Sequence, residues 1–154
     1  MKNPAFTTVA ALMLTGCGGL LQPGPPDSAA GAEVAPVTPA AMPPASAATA
    51  EQFDTTTEAE RQAALARAPT GERELGRTVA SLGNPADPGF WLETPLVTKV
   101  TQGRVVYPLT GNSVAVELRP IAAAPGAGSR ISLPAIRLLG APLTGLPELT
   151  VYAG

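Results

Sequence analysis

Two short runs decide the fold: Gly103-Arg104-Val105-Val106-Tyr107 and Ser113-Val114-Ala115-Val116-Glu117-Leu118. Both runs contain several β-branched residues, and the segment between them includes Thr110-Gly111-Asn112, so the pair predicts a β-hairpin. Side chains alternate across a strand, which puts Val114, Val116 and Leu118 on one face. The sequence therefore predicts a β-rich domain that buries one face of this hairpin.

Outward from the hairpin, alternating apolar residues predict three more strands, over residues 77–82, 96–100 and 148–152. Ser132 is expected to cap a short helix over residues 133–139, with Gly140 as its stop signal. The fold class is then mainly β with short helices (α+β). The domain covers residues 75–154 and buries about 60% of the surface of its unfolded chain.

A polar helix is expected ahead of this domain, over residues 57–68. Thr57 and Glu60 have the spacing of a capping box, and Pro69 lies just beyond the end of the segment. Leu65 is the only large apolar residue in the helix, so we interpret it as a spacer.

Composition excludes several classes of chemistry. The chain has no histidine and a single cysteine, which removes the commonest general base and metal ligand and rules out an internal disulfide. Its net charge of −2 gives no reason to expect nucleic-acid binding. We predict no catalytic residue, no metal and no cofactor.

The first sixteen residues have the features of an export signal. Lys2 precedes an apolar stretch of about ten residues, which is too short to cross a ~30 Å hydrocarbon layer as a helix. The stretch ends in Leu14-Thr15-Gly16-Cys17, which resembles the bacterial lipobox. That resemblance implies cleavage before Cys17 and a lipid on its sulfur. Because Gly18 is not an aspartate, it also implies the periplasmic side of the outer membrane.

Residues 17–56 consist largely of alanine, proline and glycine. Prolines prevent helix continuation, and the scarcity of large apolar residues leaves little to offset the entropy of ordering. The segment is therefore expected to be a disordered tether between the lipid and the domain.

Residues 96–151 resemble the double-psi β-barrel of the rare lipoprotein A family, which acts on peptidoglycan. The likeness is carried by Thr110-Gly111-Asn112-Ser113-Val114-Ala115-Val116 and by Arg130-Ile131-Ser132-Leu133-Pro134-Ala135, followed by Leu139-Gly140. The stretches Gly89-Phe90-Trp91-Leu92-Glu93-Thr94-Pro95-Leu96-Val97 and 139–149 resemble a group of alphaproteobacterial lipoproteins, some of which are labelled galactarate dehydratase.

The chain departs from the barrel family where that family has its catalytic aspartates. It reads Leu118-Arg119-Pro120-Ile121 at one of these places and Ser132 at the other, and no carboxylate lies between Glu117 and Glu148. Glycan cleavage needs an acid for the departing oxygen, so lytic activity is not expected. Sugar-acid dehydration would need several convergent carboxylates, drawn from Asp87, Glu93, Glu117 and Glu148.

Two surface features have alternative interpretations. Phe90 and Trp91 form either a stacking platform for a ligand or an anchor of the core. Five basic residues form either a basic patch for an anionic glycan or lipid headgroup or a scattered, solvated surface: Lys99, Arg104, Arg119, Arg130 and Arg137. The candidate ligand or partner surface is accordingly Trp91, Arg104, Arg119 and Arg130.

The favoured function is a lipid-anchored, non-catalytic binding or structural module of the cell envelope. Its expected partners are the membrane, through the lipid, and peptidoglycan or an envelope protein. The alternatives are a degenerate or unusual enzyme, either lytic or dehydratase-like, and an accessory of a larger envelope assembly. In the last case, an edge strand near residues 143–149 would offer the contacts.

Overall fold

The computed structural model describes residues 40–66, 71–124 and 126–154. These residues belong to one compact unit, 38–154. Within the described ranges the elements are, in chain order, α1 (Ala50–Phe53), α2 (Glu58–Ala66), β1 (Arg73–Leu82), β2 (Trp91–Thr94), β3 (Thr101–Val106), β4 (Ser113–Pro120), β5 (Ser129–Ile131), α3 (Leu133–Leu138) and β6 (Glu148–Ala153).

The six strands close into a barrel in the order β1-β5-β2-β4-β3-β6, and β6 pairs back onto β1. Two neighbouring pairs are parallel, β1 with β5 and β2 with β4. The other four pairs are antiparallel. The predicted class, mainly β with short helices, is confirmed.

The barrel consists of two halves with the same winding. Exchanging β1, β2 and β3 for β4, β5 and β6 reproduces both the strand order and every parallel or antiparallel pairing. The second half inserts α3 between its second and third strands, where the first half has turns and bends at residues 95–99. The two halves therefore differ mainly in this connection.

The hairpin predicted over residues 103–118 is present. β3 and β4 pair antiparallel, with Val105 opposite Val114 and Gly103 opposite Val116. Val114, Val116 and Leu118 are all buried, as the alternation predicted. They form one apolar core with residues from every other strand and from α3: Ala80, Leu92, Val105, Ile131, Ile136, Leu139, Leu149 and Val151.

The short helix after Ser132 is also confirmed, with one correction. Gly140 follows α3 with a φ of +68°, the left-handed conformation expected of a residue that ends a helix. The side chain of Ser132 does not cap α3. Its Oγ instead accepts a hydrogen bond from the backbone N–H of Trp91 at 3.1 Å, which links α3 to β2.

The strand predicted over residues 96–100 is wrong. The strand in this region is β2 (Trp91–Thr94), which ends before the predicted strand begins, and Val100 is exposed. Pro95 has no N–H to donate to a neighbouring strand, so the ladder stops at Thr94 although the next residues favour β structure. β5, which has only three residues, was not predicted at all.

The segment before the barrel differs from the predicted tether and spacer. Residues 40–56 contain α1, with a capping box formed by Thr49 and Gln52. The capping box predicted for Thr57 and Glu60 is confirmed by hydrogen bonds in both directions. α2 packs on the barrel rather than standing apart, since it contacts β4 and Ala64 joins the core. Residues 17–39 of the predicted tether, and 67–68 of the predicted helix, lie outside the described residues.

Asp54 links this segment to α3. Its carboxylate is 4% exposed, accepts from Thr56, and lies 3.5 Å from Arg61 and 3.2 Å from Arg137. We expect Asp54→Asn to lower the free energy of unfolding by about 2 kcal/mol, less than for a fully buried pair because both arginines are partly exposed. Urea denaturation would measure the loss.

Glu51→Gln is the matched control for this substitution. Glu51 is exposed and lies 3.7 Å from the same arginine, Arg137, so its neutralisation should change stability by less than about 0.5 kcal/mol. Equal effects of the two substitutions would show that Asp54 does not hold the segment in place.

Candidate functional site

An open groove of about 450 Å³ lies where two loops meet the β1–β6 pair. We call it the leucine groove, because Leu109 and Leu146 on its walls are 84% and 69% exposed. Its lining residues are Arg77, Tyr107, Pro108, Leu109, Pro142, Leu146, Pro147 and Glu148. Two exposed leucines, three prolines and Tyr107 form an apolar surface here, and Tyr107 joins this surface to the core.

The loop between β3 and β4 is held by its own hydrogen bonds. The Tyr107 carbonyl accepts from the Gly111 N–H at 2.9 Å, and the Tyr107 N–H donates to the Asn112 carbonyl at 3.0 Å. The Thr110 hydroxyl donates to the Leu139 carbonyl at 2.8 Å, which ties the loop to the end of α3. Leu109 is therefore exposed on a loop whose backbone is fixed.

The opposite wall is fixed in the same way. The Pro142 carbonyl accepts from the Gly145 N–H at 3.2 Å, and the Pro147 carbonyl accepts from the Ala80 N–H at 2.9 Å. Because prolines have no N–H, and these carbonyls are already bonded, this wall presents mainly C–H surface to the groove.

A second groove, of about 280 Å³, meets the first at the ion pair between Arg77 and Glu148. The two side chains are 3.3 Å apart and both are largely exposed. We call it the β1 groove; it is lined by Arg77, Thr78, Val79, Pro95, Leu96, Gly126, Ala127, Gly128 and Glu148. Both grooves have Arg77 and Glu148 in their linings, and we refer to the two grooves and this charged pair together as the track.

Arg104, a predicted surface residue, is engaged within the protein. Its guanidinium bonds both carboxylate oxygens of Glu72 and lies 4.6 Å from the centre of the Tyr152 ring. The hydrogen bonds that Arg104 donates to Glu72 outweigh the cost of burial and raise the pKa of Arg104 above its ordinary value. This charge is already matched by a carboxylate.

Arg119 is held in a similar way. Burial alone would lower its pKa, but hydrogen bonds to Glu117 at 2.6 Å and Asp87 at 2.8 Å outweigh it, so the pKa of Arg119 is raised. Arg130 lies 3.4 Å from Glu93, which is opposite it in the β2–β5 pair. Glu93 is also opposite Arg119 in the β2–β4 pair, so the two arginines flank one glutamate.

Trp91 is not an exposed platform. It is 1% exposed, its indole Nε1–H donates to the Asp87 carbonyl at 3.2 Å, and the Arg119 guanidinium lies 5.2 Å from the ring centre. The alternative interpretation, an anchor that packs rather than binds, accounts for these contacts. The structure places Arg119 over Trp91 and places Arg119 and Arg130 on the two strands that flank Glu93, whereas Arg104 lies with Glu72.

The predicted basic patch therefore needs correction. Arg104, Arg119 and Arg130 each pair with an acid from another part of the chain, such as Glu72 for Arg104 and Asp87 for Arg119. Arg137 likewise pairs with Asp54 and Glu51. Most of these acids are distant from the arginines along the chain, and folding brings them close, so their proximity is not visible in the sequence. The lipobox residues Leu14, Thr15, Gly16 and Cys17 lie outside the described residues.

Sequence reasoning missed the leucine groove. Two local signals could have indicated it, since Pro108-Leu109 lies in a turn and Leu146-Pro147 directly follows one, and each places a leucine beside a proline. A large apolar residue at a turn that proline keeps out of regular structure is often left exposed.

Within the described residues, no cluster of three or more histidine, cysteine, aspartate or glutamate side chains could hold a metal ion. Over the same part of the chain, no helix has the length and apolar character needed to cross a membrane. A search of protein-family models, of curated proteins and of solved structures finds no match to this chain.

Proposed function

We propose that this protein is a lipid-anchored bacterial envelope lipoprotein whose barrel is a non-catalytic binding module for peptidoglycan or an envelope protein. The observation that carries the proposal is the leucine groove. Two highly exposed leucines stand on loops with fixed backbones, and such a surface is typical of a contact site. The outer membrane, facing the periplasm, is the proposed location.

The symmetry of the barrel supports a double-psi topology. Two interlocked halves with identical strand order are what that fold requires, and the strand pairings described above have this property. The proposal agrees with the resemblance of the hairpin and of α3 to rare lipoprotein A.

The ion pairs of the acids support a non-catalytic role. Glu117 is bound by Arg119 and Glu93 lies beside Arg130, so each would have to leave an arginine before it could transfer a proton to a substrate. Ser132, at the position of one family aspartate, is fully buried and bonded to the backbone of β2.

The lipid anchor is tested by Cys17→Ala in the full chain. We expect the variant to move from the membrane fraction to the soluble fraction or to accumulate unprocessed, and to incorporate no labelled palmitate, because no other cysteine can take the lipid. Gly19→Ser, which leaves the lipobox intact, is the matched control. Unchanged processing and fractionation of Cys17→Ala would refute the anchor.

The binding role is tested with purified sacculi and by crosslinking in cells. Wild-type protein should be retained by sacculi or crosslink to one specific envelope protein, and retention should fall when Leu109 is replaced by aspartate. Neither retention nor a specific crosslink would contradict the proposal.

A further inference from the structure

The track formed by the leucine groove and the β1 groove has chemistry that selects its ligand. Its walls contain Pro95, Pro108, Pro142 and Pro147, none of which can donate a backbone hydrogen bond. The strands form a closed barrel, so the track is not a free sheet edge to which a peptide could add a strand. The prolines therefore contribute only packing and their carbonyls, and the polar side chains that line the leucine groove are Arg77, Glu148 and Tyr107.

The charged pair of the track argues against a charged ligand. Arg77 and Glu148 present one positive and one negative group 3.3 Å apart, which gives no net charge to attract a polyanion or a charged headgroup. Arg77 is largely exposed and has more N–H donors than its single contact with Glu148 uses, so it can donate to ligand carbonyls.

From these features, the geometry points to an extended proline-rich peptide of an envelope partner as the ligand of the track; this rests on the binding function proposed above. Such a peptide is rich in carbonyls and poor in N–H groups, which matches walls that offer C–H surface and a guanidinium. It also adopts an extended helix before binding and loses little entropy when it docks. Apolar side chains of the peptide pack against Leu109 and Leu146 in the leucine groove and against Val79 and Leu96 in the β1 groove.

The fixed loops support this assignment. Each wall of the leucine groove has a hydrogen bond within its loop and another to a neighbouring element, from Thr110 to the Leu139 carbonyl and from the Ala80 N–H to the Pro147 carbonyl, so both need little rearrangement to receive a ligand. A site that is already ordered adds little conformational-entropy cost to binding, so a short peptide can bind with measurable affinity.

The experiment uses full-length lipidated protein reconstituted in phosphatidylethanolamine vesicles. A fluorescein-labelled peptide of Pro-Leu-Pro-Ala repeats is titrated by fluorescence anisotropy, and the same peptide with glycine at each proline serves as the ligand control. We expect the proline peptide to bind at least tenfold more tightly than the glycine peptide. Equal affinities, or no binding of either peptide, would overturn the proposal.

Variants locate the site. Leu146→Asp should weaken the proline peptide about tenfold or more, and Arg77→Met should weaken it several-fold through the loss of donors. Val100→Asp is the matched control, because Val100 is 58% exposed but lines neither groove. Leu146 is itself exposed, so its variant should fold, and circular dichroism checks this. Loss of binding in Val100→Asp, or none in Leu146→Asp, would contradict the assignment.

A lipid surface is the competing occupant, and the same assay tests it. Adding protein-free vesicles should leave peptide binding unchanged; displacement of the peptide would show that the leucines bind lipid instead. The outcome is separable from the lipid anchor, because peptide binding can fail while Cys17→Ala still releases the protein from the membrane. In that case the anchored module stands and only the proline-rich ligand is rejected.

Discussion

Replacing Gly103 with alanine should lower the free energy of unfolding by about 3 kcal/mol. Gly103 lies in the middle of β3, between β4 and β6. A Cβ added there would collide with the backbone carbonyl oxygen of Tyr152 and would lie 2.5 Å from Cδ1 of Leu118. The carbonyl belongs to the neighbouring strand and the leucine is fully buried, so neither can move without disturbing the ladder or the core.

The loss is measurable by urea denaturation, followed through the fluorescence of Trp91, the only tryptophan in the chain. Thermal unfolding should show a fall of roughly 10 °C in Tm. Gly111→Ala is the matched control: its φ of +74° is unfavourable for alanine, but no heavy atom lies within 4 Å of the added Cβ. That strain alone should cost about 1 kcal/mol. If the two variants lose the same stability, close packing at Gly103 is not what constrains the barrel.

Gly103 also shows what the sequence could predict and what it could not. The hairpin was predictable because its signal is local: alternating β-branched residues lie on either side of a turn. Why position 103 must be glycine was not predictable, because the reason is a carbonyl of β6, about fifty residues later. Local pattern identifies a strand, whereas the neighbours of that strand in a closed barrel depend on the whole chain.

The two elements that were misplaced or missed have the same explanation. β2 has four residues and β5 has three, which is too short for a period of two to be distinguished from chance. Residues 96–100 carry a stronger local β signal but follow a proline and are not part of the barrel. Short central strands are stabilised by the pairings on both sides, and sequence alone does not reveal those pairings.

The candidate site was predicted least well, because charges were judged by their position along the chain. Arg104 and Glu72, and Arg119 and Asp87, are each separated by 32 residues, and folding places each pair in contact. Because these arginines are paired with carboxylates, the apolar track is the better candidate for a contact surface. Its two most exposed leucines come from two different loops. The proposed function, a binding module without acid–base groups, is compatible with contact at the arginines or at the track. The structure changes only the proposed place of contact.

Trp91→Ala should cost about 3–5 kcal/mol, the range for removing a fully buried aromatic side chain. The ring lies directly against Gly83, where an added Cβ would overlap it, and beneath the guanidinium of Arg119. Trp91→Phe keeps much of this packing but loses the indole N–H bond to the Asp87 carbonyl, so it should cost about 1–2 kcal/mol. Far-UV circular dichroism is the readout, since both variants remove the fluorophore.

The same pair of variants separates the two interpretations of Trp91. If Trp91 is a core anchor, both variants should lose stability, Trp91→Ala more than Trp91→Phe, and protein that remains folded should be retained by purified sacculi as well as wild type. A binding platform predicts the reverse: loss of ligand affinity with stability changed by less than about 1 kcal/mol. Because the ring is covered by Arg119, a ligand could reach it only if Arg119 left Glu117 and Asp87 together. Arg119→Ala therefore completes the test, since uncovering Trp91 should destabilise an anchor but would increase ligand binding to a platform.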